Sequence, residues 1–146
     1  MIKRKKEHVH QELQAKYIQY QLIKQQLSAF IEKKTAVDEQ MNEFNSTIDA
    51  LHKLDNVKNG EEIWSSLGSG SFVVSDIRDT KKVMIALGAG VVAKESAERA
   101  IEILQGRLEE LTRIEHDLTS DMTNLAHAMN KLESELETLA HHAENE

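Results

Sequence analysis

Glycine and proline are placed very unevenly along this chain of 146 residues. The chain has no proline, and five of its six glycines, at positions 60, 68, 70, 88 and 90, lie in one central stretch. Both residue types are disfavoured in helix interiors. The stretches before and after the centre are therefore expected to form long helices, and the centre is expected to hold turns.

Both flanking stretches carry apolar residues at alternating steps of four and three. In the first stretch these sites run from Val9 to Leu51, and the only charged residues among them are Lys16 and Lys34. In the second stretch they run from Ile101 to Ala143 and are interrupted only by Glu115. A heptad seam of this length is typical of a coiled coil, whereas a helix on a globular core shows a broader and shorter apolar stripe.

The two helical stretches are similar in length, so we expect them to pair antiparallel with both termini at one tip. At about 1.5 Å per residue, each helix would be about 75 Å long. The predicted boundaries are an N-terminal helix over 1–58, a hairpin segment over 59–94 and a C-terminal helix over 95–146. Asn59 and Gly60 are the predicted end of the first helix, and Ser96 is the predicted N-cap of the second.

The central segment repeats the pattern Leu-Gly-x-Gly at 67–70 and again at 87–90. Each copy separates two short runs that favour strands, which predicts two β-hairpins joined by a loop at 79–81. An isolated hairpin cannot bury its apolar face in water, so these strands require strands from other chains to close a shared barrel or sandwich. The residues expected at this assembly interface are Ile63, Trp64, Leu67, Phe72, Val73, Val74, Val83, Ile85, Leu87, Val91 and Val92.

The composition argues against several other classes of protein. The chain has no cysteine and a formal net charge of −7, which exclude disulfides and cysteine-ligated zinc and disfavour a general nucleic-acid binder. It has no signal-peptide pattern and no run of about 18 apolar residues that could span a membrane. We therefore expect a soluble cytoplasmic protein that does not bind membranes.

The sequence also argues against catalysis. It shows no diagnostic set of paired carboxylates, nucleophile or metal ligands. The two Gly-x-Gly turns lack the remaining residues of a phosphate-binding loop. We expect no enzymatic activity, no cofactor and no metal.

These motifs resemble the α class of prefoldin subunits, and the resemblance covers nearly the whole chain. Its most specific parts are Leu-Gly-Ser-Gly-Ser-Phe-Val-Val at 67–74, Asp-Thr-Lys-Lys-Val at 79–83 and Leu-Gly-Ala-Gly-Val-Val-Ala-Lys-Glu-Ser at 87–96. The family usually carries Val-Pro before the first turn, where this chain has Trp64, Ser65 and Ser66. Two hairpins mark the α class, whereas the β class has one.

The resemblance implies a hexamer of two α and four β-type subunits. Hairpins from all chains would build a double β-barrel platform from which the coiled coils project. Such an assembly holds unfolded polypeptides between the coil tips without ATP and delivers them to a group II chaperonin. The residues of this chain that the resemblance places at the tip, as contacts for unfolded polypeptide, are Val9, Leu13, Tyr17, Ile18, Tyr20, Leu132, Leu136 and Leu139. Most of these also close the coil, so Tyr17 and Ile18, which lie off the seam, are the stronger candidates.

Charged residues interrupt the seam at corresponding levels of the two helices. If Ile48 lies opposite Leu104, then Lys34 lies within one layer of Glu115. We predict that the two side chains approach each other and fix the register of the coil. The alternative is that each side chain reaches solvent independently.

The same pairing brings polar clusters together at the tip. The basic residues 3–6 would lie beside Glu133, Glu135, Glu137, Glu144 and Glu146, and His8 and His10 would lie beside His141 and His142. We expect charge screening and unrelated exposed histidines here. Two other functions stay open on the residues alone: a structural scaffold that assembles through its hairpins without holding clients, and a coiled coil that binds nucleic acid through residues 3–6.

Overall fold

Two long helices flank four short strands in a computed structural model of the chain. Helix α1 spans Ile2–Lys53 and α2 spans Ala97–Glu144, and between them lie β1 (Glu62–Gly68), β2 (Ser71–Asp76), β3 (Lys82–Gly88) and β4 (Val91–Ser96). The structure describes the backbone of residues 2–144 and the side chains of residues 7–142. The predicted fold class of two long helices with two β-hairpins between them is confirmed.

The chain divides into two compact units. One, the terminal coil, combines Met1–Asp38 with Arg113–Glu146, and the other, the hairpin unit, is Glu39–Thr112. Within the terminal coil, Val37, Leu118 and Leu132 are buried between the helices. Ion pairs join Lys16 to Glu135 and Lys34 to Glu115, so position along α1 rises as position along α2 falls. The predicted antiparallel pairing is therefore present in this unit.

Helix α1 ends earlier than the sequence predicts. It stops at Lys53 and continues as a 3₁₀ turn over Leu54–Asn56, so the predicted end at Asn59 and Gly60 is wrong. The turn keeps Leu54 packed against the core of the hairpin unit. Gly60 instead starts the base of the first hairpin, where its N–H donates to the Ile77 carbonyl over 2.6 Å.

Helix α2 begins at Ala97, directly after the predicted N-cap Ser96 and two residues later than the predicted boundary at 95. The Arg99 N–H donates to Ser96 Oγ over 3.0 Å, which is the N-cap hydrogen bond that satisfies one of the unpaired amides of the first turn. The Ala97 N–H donates to the Lys81 carbonyl over 3.1 Å. The start of α2 is thus tied to the loop that precedes β3.

Each hairpin is an antiparallel pair, β1 with β2 and β3 with β4, and the register shifts by one residue just before each turn. The two central residues of each turn have positive φ: 49° and 73° at Ser69 and Gly70, and 49° and 77° at Ala89 and Gly90. Positive φ at both positions is what a type I′ turn requires, and this turn matches the twist of the flanking strands. The repeated Leu-Gly-x-Gly pattern therefore encodes the same turn twice.

The hairpin unit has one buried cluster, which joins α1, β3 and α2. Its buried members are Ile48, Leu51, Ile85, Ala100 and Leu104, with Val83 among the partly buried side chains around them. Val83 and Ile85 alternate on one face of β3, and the chain's own helices cover that face. These two residues, which the sequence analysis assigned to the assembly interface, therefore lie in the core of the chain itself.

The apolar residues of both helices form a seam rather than a uniformly apolar surface. Over the residues that the structure describes, neither helix has a segment apolar enough to cross a membrane.

Candidate functional site

The first hairpin carries large apolar side chains that the rest of the described chain leaves exposed. Trp64 is 71% exposed and Leu67 is 70% exposed. Only Ser65 and Ser75 are half-buried in β1 and β2, and the Ser75 hydroxyl donates to Ser65 Oγ over 2.6 Å. The exposed apolar residues of this hairpin are Ile63, Trp64, Leu67, Phe72, Val73 and Val74.

The second hairpin differs because one of its faces packs on the chain's own core. Its exposed apolar residues are Met84, Leu87, Val91 and Val92. Arg107 Nη2 donates to the Ala86 carbonyl over 2.6 Å, which ties β3 to α2. Met84 was not among the predicted interface residues, although strict alternation with Val83 and Ile85 places it on the opposite face of the strand. We call the exposed apolar residues of both hairpins together the hairpin surface.

The Asp79 carboxylate accepts backbone hydrogen bonds within the loop between the hairpins. Asp79 Oδ1 accepts hydrogen bonds from the Lys81 N–H over 2.8 Å and from the Lys82 N–H over 3.3 Å. The Lys81 backbone hydrogen bond, with a smaller contribution from Lys82, lowers the pKa of Asp79. This side-chain turn fixes the start of β3 relative to the end of the first hairpin.

Lys34, the charged residue at a seam position in the middle of the terminal coil, has two acidic partners. Lys34 Nζ lies 2.7 Å from Asp38 Oδ2 and 3.2 Å from Glu115 Oε1. The hydrogen bonds to Asp38 and Glu115, in that order, raise the pKa of Lys34. The approach to Glu115 was predicted from the seam. The contact with Asp38 was not, although Asp38 lies one helical turn after Lys34 and that spacing favours an ion pair.

A second pair lies nearer the chain ends. Lys16 Nζ is 2.6 Å from Glu135 Oε2, and Tyr20 Oη donates to Glu133 Oε1 over 2.7 Å. The hydrogen bond raises the pKa of Lys16 and lowers that of Glu135, and the bond to Glu133 raises the pKa of Tyr20. A register extended from Lys34 and Glu115 alone places Lys16 opposite Glu133, two residues from its actual partner, so these contacts were not predictable from that pair.

The predicted tip residues separate into three environments. Leu132 is buried, so it closes the coil in this folded state, whereas Val9, Leu13, Tyr20, Leu136 and Leu139 are half-buried. Tyr17 and Ile18 are exposed, and so is Leu22, which the sequence analysis did not name. We call Tyr17, Ile18 and Leu22 the α1 stripe.

The predicted charge cluster at the chain ends lies partly outside the described residues. The side chains of residues 3–6, Glu144 and Glu146 belong to that part. The prediction that Glu133 and Glu135 lie beside residues 3–6 is wrong, because Glu133 accepts a hydrogen bond from Tyr20 and Glu135 pairs with Lys16, ten or more residues further along α1. Across the described side chains, no three histidines or carboxylates are grouped so as to hold a metal ion.

Comparison with known protein families identifies the family of this chain. The sequence pattern of the family described as Prefoldin subunit matches residues 23–142, which include both hairpins and most of both helices.

The chain belongs to the prefoldin family.

Similar curated proteins are α subunits of archaeal prefoldin. The chain is 34% identical over 130 residues to Prefoldin subunit alpha of Methanosarcina barkeri, which covers 89% of this chain and 85% of that protein. It is 32% identical over 126 residues to Prefoldin subunit alpha of Methanosarcina mazei, covering 86% and 84%. The relative from Archaeoglobus fulgidus is 23% identical over 125 residues, covering 86% of this chain and 91% of the relative.

A solved prefoldin structure has the same fold. The cryo-EM structure of filamentous PFD from Methanocaldococcus jannaschii matches with a TM-score of 0.70 at 16% identity, covering 80% of this chain and 96% of that chain. The resemblance to prefoldin that the Leu-Gly-x-Gly turns indicate is confirmed by these matches. The α1 stripe, at residues 17–22, lies just before the first residue that the prefoldin family pattern matches.

Proposed function

We propose that this chain is a subunit of an ATP-independent chaperone that holds unfolded polypeptides at the ends of coiled coils. The observation that carries the proposal is the hairpin surface of a prefoldin-family chain. Trp64, Leu67 and Phe72 expose large apolar areas that a lone subunit in water would not retain. Partner subunits that add strands would cover this surface.

The assembly would be built by pairing and packing of hairpins. In each isolated hairpin both strands keep an outer edge with unpaired backbone groups, which neighbouring strands can satisfy. Partner chains would cover the first hairpin. The second hairpin already packs one face, through Val83 and Ile85, against α1 and α2. We propose β-type prefoldin subunits as the partners, in a hexamer of two α and four β chains.

Holding would be passive binding, with no catalytic step. Each coil would present weak apolar contacts, and several coils on one platform would act together through their high effective concentration. Binding the unfolded state in this way withdraws it from aggregation. We propose that the complex works in the cytoplasm and passes its clients to a group II chaperonin.

A light-scattering assay tests the proposal. The assembly, purified through a tag on this chain, is added without nucleotide to a denatured protein that aggregates on dilution. We expect slower aggregation, and we expect the protection to be lost in a Trp64→Ser, Phe72→Ser variant that cannot assemble.

Two outcomes would overturn the proposed function. An intact assembly that leaves aggregation unchanged would identify a structural scaffold. Protection by the unassembled Trp64→Ser, Phe72→Ser chain equal to that of the assembly would show that the platform is not needed for holding.

A further inference from the structure

Exposed apolar side chains are distributed unequally between the two helices of the terminal coil. Helix α1 exposes Tyr17, Ile18, Leu22 and Ile31, whereas the described part of α2 in this unit exposes only Ile114 among large apolar residues. Ile18 and Leu22 are each 60% exposed. The two helices therefore offer different chemistry to a ligand.

Two residues of the α1 stripe, Ile18 and Leu22, lie on an uncharged face. Ile18 and Leu22 are four residues apart and so lie on the same side of the helix, one turn apart. Gln14 and Gln25 continue that side at helical spacing, and Lys24 is the only charged residue between positions 17 and 31. This face suits an apolar segment that makes hydrogen bonds to glutamine.

Helix α2 carries exposed carboxylates at the same level of the terminal coil as Tyr17 and Ile18. The hydrogen bond from Tyr20 Oη to Glu133 Oε1, 2.7 Å long, positions the exposed Glu133 carboxylate at the level of Tyr17 and Ile18. Glu137 follows one turn later along α2 and is also exposed. Lys16, the nearest cation on α1, is already paired with Glu135 over 2.6 Å.

We infer that the terminal coil selects unfolded segments in which apolar side chains are flanked by lysine or arginine, with the apolar part on the α1 stripe and the cations on Glu133 and Glu137. The inference rests on the proposed holding function and adds the class of client to it. Charge complementarity is the reason to commit to this occupant, because exposed carboxylates on α2, at the level of an uncharged apolar face on α1, attract basic segments and repel acidic ones.

Two fluorescent peptides test the inference. They share one apolar core and differ only in their flanks, lysine in one and glutamate in the other, and their binding to the assembled complex is followed by anisotropy. We expect the lysine peptide to bind about two- to fivefold more tightly, as exposed ion pairs allow. The difference should shrink as salt is added.

Variants separate the two parts of the site. Glu133→Gln with Glu137→Gln removes the charge but keeps an acceptor for Tyr20, so it should equalise the two peptides. Ile18→Gln with Leu22→Gln should weaken both peptides. Ile114→Gln, a matched replacement of an exposed apolar residue on α2, should weaken neither.

The outcomes distinguish this inference from the function on which it rests. Equal binding of both peptides with protection against aggregation intact would overturn the charge selection and leave the holding function standing. Failure of both peptides to bind, together with unchanged aggregation, would overturn the holding function itself. Concentration-dependent self-association that Ile18→Gln with Leu22→Gln abolishes would assign the stripe to a second copy of the chain and contradict the inference.

Discussion

Lys34 Nζ lies 3.2 Å from Glu115 Oε1 in the terminal coil, at the one level where both helices carry a charged residue at a seam position. The side chains of both residues are partly shielded from solvent. Ion pairs at such positions are known to specify register and orientation at a cost in stability. We propose that this pair sets the antiparallel register of the coil.

Replacing one member of the pair should lower the melting temperature more than replacing both members. Lys34→Leu leaves the Glu115 carboxylate against an apolar seam, so we expect a lower melting temperature by circular dichroism. Lys34→Leu with Glu115→Leu restores an apolar seam and should melt near or above the wild-type temperature. Asp38→Asn, which removes the second partner of Lys34 outside the seam, is the control and should have a small effect. Equal melting temperatures for the single and the double variant would contradict a paired role.

Acid should loosen the part of the terminal coil held by Lys16 and Glu135. The Lys16 hydrogen bond holds the pKa of Glu135 below its ordinary value, so ionised Glu135 stabilises the folded coil. This contribution is complete above the ordinary carboxyl pKa and is lost as pH falls from there through the lowered pKa of Glu135. Protection of amides 13–20 against hydrogen exchange should therefore fall in acid.

The matching control uses two neutral variants of α2. Glu135→Gln should weaken protection at neutral pH and flatten its acid dependence, whereas Glu137→Gln, which does not contact Lys16, should leave both unchanged. An acid dependence that persists in full in Glu135→Gln would show that another group is responsible.

Near the turn of the second hairpin, replacing Gly88 by alanine should destabilise the fold, whereas replacing Ala89 by glycine should not. Gly88 has φ of 112° and a Cβ there would meet no atom within 4 Å, so Gly88→Ala tests backbone strain alone. We expect it to lower the free energy of unfolding by about 1–2 kcal/mol. Ala89→Gly removes an unfavourable positive φ and adds freedom to the unfolded chain, so we expect it to be close to neutral. Urea titration measures both, and an unaffected Gly88→Ala would contradict the requirement for positive φ at Gly88.

Trp64 reports directly on assembly because it is the only tryptophan in the chain. It is 71% exposed in the lone subunit, so its emission should move to shorter wavelengths when partner hairpins cover it. Addition of a coiled-coil protein from outside the family is the control and should cause no shift. An unchanged spectrum in a complex shown to form would exclude Trp64 from the interface.

Local signals predicted most of the fold. The heptad seam, the two Leu-Gly-x-Gly turns and the Ser96 N-cap each depend on residues close together in sequence, and the structure has all of them. The end of α1 was missed because Leu54 is drawn into the core by distant residues. The sequence correctly indicates a turn near Gly60, but it does not show that this turn belongs to the first hairpin rather than to the end of α1.

The candidate sites depended more on tertiary placement. Alternation shows that Val83 and Ile85 share a face of β3, but only the structure shows that α1 and α2 cover it. The partners of Lys16 and Tyr20 required a register that one seam pair does not determine toward the chain ends. Leu22 was not predicted because it lies off the seam, one helical turn from Ile18 on the outer face of α1.

Native mass spectrometry of the complex purified from host cells through this chain tests the central claim most directly. We predict a particle with two copies of this chain and four copies of a smaller coiled-coil partner, and dissociation of that particle when Trp64 and Phe72 are both replaced by serine. A stable monomer, with the hairpin surface uncovered, would contradict it.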